Sequence, residues 1–125
     1  MPETLNISLR GGEFESEVLK GGSGPSLLYL HGAIGQKGWA PFLDALAQKF
    51  TVYAPYMPGY SKSSGLEKLD DVTDLTHYQF ELHDALNIPK THVVGHFLGG
   101  MIAAEMAALS PLSYTHLTLP TILLV

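Results

Sequence analysis

Residues 91–101, Thr-His-Val-Val-Gly-His-Phe-Leu-Gly-Gly-Met, leave this chain few ways to fold. His92 to Val94 is short, apolar and β-branched, the pattern of a buried strand. From about Leu98 to Leu109 the period becomes helical, with Leu98, Met101, Ile102, Met106 and Leu109 on one stripe and alanines filling the rest. Only Gly95, His96 and Phe97 remain for the reversal. Gly95, Gly99 and Gly100 remove side chains where strand and helix must pass close together.

The rest of the chain supplies elements to go with this one. Leu5–Leu9 alternates apolar and polar, as Phe14–Val18 does more loosely, and Gly11-Gly12 between them is a turn signal. The pair predicts an antiparallel hairpin with one solvated face. Gly21-Gly22-Ser23-Gly24-Pro25 breaks the chain, and Ser26–Leu30 is then continuously apolar, as a central strand covered on both sides should be. Pro41 followed by Phe42, Leu43, Leu46, Ala47 and Phe50 predicts an amphipathic helix, with Trp39 before it as a packing residue. Thr51–Ala54 is the next buried strand, and it leaves through Pro58-Gly59-Tyr60-Ser61. Asp71 caps a helix from Val72 whose apolar stripe is Val72, Leu75, Tyr78, Leu82, Ala85 and Leu86, and which Asn87 and Pro89 end. Through Leu109 the order is β-β-β-α-β-α-β-α. That order predicts an α/β fold, a mainly parallel sheet with an N-terminal antiparallel hairpin, right-handed crossovers and helices on both faces.

Composition narrows the function classes. A chain of 125 residues, 46% hydrophobic and 15% charged, is globular and forms at most one domain. Its net charge of −5 and lack of a Lys/Arg cluster predict no nucleic-acid partner. Without cysteine there is no disulfide frame or thiolate site. His77 and His83 lack the three- or four-residue spacing of a helical metal pair, so no metal is predicted. Neither a G-x-G-x-x-G fingerprint nor a phosphate-binding G-x-x-x-x-G-K-[ST] loop occurs, and no cofactor is implied. The first residues lack the basic and apolar regions of a signal peptide, and no apolar run approaches the ~20 residues of a membrane span. The expectation is a cytoplasmic protein with no membrane partner; nothing in the residues assigns an oligomeric state.

Gly95-His96-Phe97-Leu98-Gly99 between strand and helix resembles the G-x-S-x-G nucleophile elbow of the α/β-hydrolase superfamily, in particular its serine esterases. His31-Gly32 after a buried strand is similar to the family's His-Gly loop, and Pro58-Gly59-Tyr60-Ser61 to its Pro-Gly-aromatic segment, with Ser61 where a second glycine often sits. The resemblance covers Leu5 to Pro111 and implies a truncated α/β-hydrolase fold, the N-terminal half of a domain about twice this length. It implies an intact parent that cleaves a small-molecule ester, lactone or similar carbonyl substrate through an acyl-enzyme. It also implies oxyanion-hole donors at the N–H groups of Ala33 and Leu98, with His31, Gly32, Gly95, His96 and Gly99 shaping loop and elbow.

The chemistry expected of that family is missing. Phe97 stands where serine should, and phenyl has no lone pair; the aspartate nucleophile of dehalogenase-like relatives is excluded too. His96 holds a packing position, and Ser61, Ser63 and Ser64 read as a flexible loop with no paired base. After Phe97 the sole acid is Glu105, within the helix, and the sole histidine is His116. The chain as written is therefore expected to be inactive. A recent loss of serine or an error in the reported codon, one base apart from a serine codon, fits the pattern. So does a non-catalytic protein of the same fold in which Phe97 fills the former active site or walls an apolar ligand pocket. Ser113-Tyr114-Thr115-His116-Leu117-Thr118-Leu119-Pro120-Thr121 resembles a translated reading frame of a transposase-type sequencing adaptor, which makes 1–111 the natural half-domain and 112–125 a non-native tail. The same residues, apolar and β-branched, also read as a strand. Truncation predicts an exposed apolar edge at the His92 strand that the tail could cover.

Overall fold

The computed structural model describes residues 2–32, 35–36, 38–61, 63–65, 71–88, 91–109 and 116–118. Its elements in chain order are β1 (Glu3–Leu9), β2 (Phe14–Gly21), β3 (Ser26–Leu30), α1 (Pro41–Leu46), β4 (Thr51–Pro55), α2 (Val72–Leu86), β5 (His92–Gly95), α3 (Leu98–Leu109) and β6 (His116–Thr118). A single 3-10 turn at Arg10–Gly12 joins β1 to β2. The strands form one sheet in the spatial order β1-β2-β4-β3-β5-β6. β1, β2 and β4 pair antiparallel in succession, and β4, β3, β5 and β6 run parallel. The expected mixed architecture, with its N-terminal hairpin, is what forms.

Alternation along the strands divides the core. Leu27 and Tyr29 of β3, Val52 and Ala54 of β4 and Val94 of β5 face one side, where Leu43, Leu46 and Trp39 of the α1 region pack on them. Leu28 and Leu30 of β3 and Val93 of β5 face the other, against Ile102, Ala103 and Met106 of α3 with Leu75 and Phe80 of α2. Farther along that second face, Tyr78 and Leu82 of α2 cover Leu9, Phe14 and Val18 of the hairpin. β3 is buried over Leu27–Leu30, as its unbroken apolar run requires of a strand covered on both sides.

Three helix expectations need correction. α1 stops at Leu46, short of Phe50, and Phe42 is 47% exposed. On α3, Met101 and Leu109 are exposed while Ile102, Ala103 and Met106 are buried. The cause is Gly99: its contact with the end of β3 sets the roll of the helix, and positions three, four and seven residues onward then face the sheet. On α2, Ala85 is exposed and the polar residues Thr76, Gln79 and His83 are buried, because this helix packs against α3 as well as the hairpin and so buries two faces. Its ends are as read: the Asp71 carboxylate accepts the Asp74 N–H at 2.9 Å, and Asn87 closes it in the left-handed conformation at φ 58°. Pro89 lies outside the described residues.

The His92 strand is not an open edge here, since β6 pairs with it in register His92↔His116, Val93↔Leu117 and Val94↔Thr118. The connection from β3 through α1 leads to β4 on one side, and that from β4 through α2 returns past β3 to β5 on the other. The winding therefore reverses at β3. Open α/β sheets form their ligand crevice beyond the carboxyl ends of the strands at such a reversal.

Candidate active site

Two loops emerge at that point, one from Leu30 and one from Gly95. They are bonded to each other, His96 N–H donating to Leu30 O at 3.0 Å. Phe97 sits at the tip of the second with φ 54°, in the left-handed region that non-glycine residues avoid. Its carbonyl accepts the Met101 N–H at 3.2 Å and His96 O accepts the Gly99 N–H at 3.0 Å, so α3 starts directly behind it. As the first residue of α3, Leu98 carries one of the amides for which a helix has no internal acceptor. The strand–turn–helix read from the sequence is thus a sharp, strained turn.

The glycines permit it. A Cβ on Gly95 would lie 2.5 Å from Gly100 Cα, and one on Gly99 would lie 2.7 Å from His31 O. Gly32 is pressed between the loops, where a Cβ would be 2.8 Å from His96 O and 3.1 Å from Phe97 Cβ. Each of these neighbours is backbone or Cβ and cannot swing away. The His96 and Phe97 rings meet edge to face at 4.2 Å.

His31 is fully buried. Its Nε2 accepts the Met57 N–H at 2.9 Å and its Nδ1 lies 2.7 Å from Gly32 O. Burial lowers its pKa, partly offset by the Gly32 carbonyl. The Tyr60 ring stands edge-on to it at 4.7 Å. Neither Met57 nor Tyr60 figured as a site residue in the sequence reading, for their contact with His31 joins loops that local pattern does not connect. Ser61, which stands where the family often has a glycine, adopts φ 50°, a left-handed conformation that glycine takes without strain.

The serine loop is not loose. Ser63 Oγ accepts the Glu17 N–H at 2.9 Å, Ser64 Oγ accepts the Glu15 N–H at 3.2 Å, and Ser64 N–H donates to Glu15 O at 2.8 Å. The loop is sewn to β2, which corrects the expectation of flexibility. Ser61 Oγ donates to a Glu17 carboxylate oxygen at 2.6 Å.

Other candidates fall elsewhere. Glu105 is exposed on α3. His116 pairs with His92, the first residue of β5, so its backbone lies about 10 Å along the strands from the Gly95 end. His77 is exposed and His83 is buried on α2. Ala33 lies outside the described residues. Beside His96 a cavity of about 220 Å³ is lined by Tyr29, Gln36, Ala40, Phe42 and Leu43. Gln36 Nε2 donates to Ala54 O at 3.1 Å across its wall. No helix among the described residues is long and apolar enough to cross a membrane.

Known proteins share this fold. A family model described as the alpha/beta hydrolase fold matches residues 25–120. The dihydrolipoyllysine-residue acetyltransferase component of the acetoin cleaving system of Cupriavidus necator is 34% identical over 93 residues, 74% of this chain and 25% of that protein. A bacterial membrane phospholipase A superposes with a TM-score of 0.84 at 28% identity, covering 93% of this chain and 38% of that one. Naproxen esterase from Bacillus subtilis gives a TM-score of 0.83 at 26% identity, covering 94% and 42%. The chain thus spans a quarter of that curated relative and about two fifths of these solved structures.

Proposed function

Because the chain belongs to the α/β hydrolase fold family, we propose that its site is an acyl-hydrolase site whose nucleophile position holds Phe97. The parent protein cleaves a small-molecule ester, lactone or related carbonyl substrate, in the cytoplasm and without nucleic-acid or membrane partners. In such a reaction a nucleophilic oxygen bonds to the carbonyl carbon and the carbonyl electrons move onto oxygen. Two fixed amides take up that charge, here the N–H groups of Ala33 and Leu98. The alcohol leaves with a proton from histidine, and water repeats the sequence to free the acid. The observation that carries this reading is the φ of 54° at Phe97 on a strand–turn–helix whose glycines admit no side chain. Strain of about 1–3 kcal/mol at a single residue persists only where the surrounding structure holds it, and such residues cluster at functional sites.

Phe97 cannot open the sequence, and neither Glu105 nor His116 is suited to complete a triad. Loss of a triad nucleophile alone costs roughly six orders of magnitude in turnover. The chain as written is inactive on this reading, with residues 112–125 a non-native tail. A second reading, a non-catalytic ligand-binding protein on the same fold, draws support from the cavity of about 220 Å³ beside His96.

Short-chain p-nitrophenyl esters test the first reading. Both the chain and its Phe97→Ser variant are expected to stay at the buffer rate, because serine alone lacks base and acid. Hydrolysis by the unaltered chain that a single substitution abolishes would refute the reading. Resequencing the source DNA through codon 97 and past Pro111 separates the alternatives. Serine followed by a frame with an acid and a late histidine supports a hydrolase, whereas phenylalanine in a long open frame supports the binding protein.

A further inference from the structure

We propose that His31 is a positioning residue that latches the β3 exit loop to the β4 exit loop, and that it does so solely as a neutral imidazole. A backbone N–H can only donate and a carbonyl can only accept. With Met57 N–H on Nε2 and Gly32 O beside Nδ1, the proton must therefore reside on Nδ1. Both nitrogens are used, one toward each loop. The Gly32 carbonyl that takes the ring proton also accepts the Gly35 N–H at 2.9 Å, so the same oxygen ties Gly35 to the β3 exit. Gly32 in turn abuts His96 O and Phe97 Cβ. Tyr60 packs its ring on His31 and lies against Gly35, adding an apolar wall to the latch. Two loops that sequence separates by 26 residues thus meet on one imidazole, and the elbow leans on the adjoining Gly32.

A second proton would turn Nε2 into a donor facing the Met57 N–H, and that bond would be lost. The titratable groups facing the ring are Tyr56 at 6.4 Å and Tyr60 at 4.7 Å from the β4 exit, with His96 beyond Gly32 on the elbow side. Among the described residues no carboxylate pairs with the ring to stabilise a charged form. Burial acts in the same direction, so the latch is closed at neutral pH and opens below the ordinary histidine range. Its role in setting the oxyanion loop rests on the acyl-hydrolase reading above; the latch itself does not.

Nitrogen-15 NMR of the full 125-residue chain tests the latch without reference to turnover. The His31 ring should give a protonated Nδ1 and an unprotonated Nε2 at pH 7.5. Protection of the Met57 amide against hydrogen exchange, corrected for intrinsic rates, should fall about tenfold as the ring titrates, the size of one lost hydrogen bond. In His31→Gln the side-chain oxygen can still accept from Met57 but cannot titrate, so protection should persist and lose its pH dependence. In His31→Leu it should be low throughout. The opposite tautomer, flat Met57 protection through the ring's titration, or undiminished pH dependence in His31→Gln would each overturn the proposal. The tautomer and titration are read on the unaltered chain, so the test stands even where a variant fails to fold.

Discussion

Phe97 and Gly99 pose opposite problems in the same turn. Phe97 carries a bulky side chain in a left-handed backbone, and Gly99 gives up its side chain so that α3 can touch β3. The expected consequence is a large asymmetry in tolerance. Gly99→Ala would set a methyl 2.5 Å from Leu30 C and 2.7 Å from His31 O, both backbone atoms of the central strand's exit. It should destabilise the chain by about 3 kcal/mol or more, the upper end of overpacking, as read from the urea midpoint. Phe97→Ser keeps the backbone strain while removing a half-buried ring, so it should leave the fold assembled, seen as an unchanged far-UV spectrum. The glycine spacing was legible from sequence because close approach leaves only one residue type. The His31 partners were not, since Met57 is 26 positions away along the chain.

At the scale of the element, α2 shows where periodicity stops being informative. Leu75, Tyr78, Leu82 and Leu86 form the stripe that pattern predicts, yet Thr76, Gln79 and His83 are buried as well. A second packing partner, α3, covers a face whose polar sequence suggested solvent. His83 is the residue through which this matters for stability. Burial pushes its pKa down from 6.5 to about 4, so the unfolded chain binds the proton more readily than the folded one. Stability from this group is complete above pH 6.5 and is lost progressively as pH falls toward 4. The loss should approach roughly 3 kcal/mol, with His31 adding in the same direction. Denaturant midpoints between pH 7 and 4.5 should fall accordingly, and His83→Leu should flatten the slope. An equally steep slope in that variant would assign the acid sensitivity elsewhere.

For the whole molecule, the unequal cover of the two sheet faces is the governing feature. Among the described residues, α2 and α3 cover one face, whereas the other carries the six residues of α1. Beside α1 an open apolar groove of about 500 Å³ is lined by Leu27, Phe42, Leu46, Phe50, His92 and Val94. Apolar surface of this kind favours association. Sedimentation of the chain at increasing concentration should reveal reversible self-association, and Phe42→Lys should reduce it. A monomer at all concentrations would show that the groove does not drive contact between copies.

Local chemistry alone determined the class of fold. The Leu27–Leu30 run demanded a doubly covered strand, the Gly11-Gly12 hairpin demanded one solvated face, and the glycines at 95 and 99 demanded a turn with no room for side chains. Caps at Asp71 and Asn87 were equally local, each set by a few neighbouring dihedrals and one hydrogen bond. Tertiary structure decided the remainder. It set the roll of α3, because Gly99 meets β3 at one orientation, and it buried the polar face of α2. It also brought His31, Met57, Tyr60 and Gly32 to one point, through a reversal of winding at β3 that no stretch of chain encodes by itself. Packing between elements distant in sequence depends on which faces are left after the local choices are made, and that is settled only when the sheet assembles.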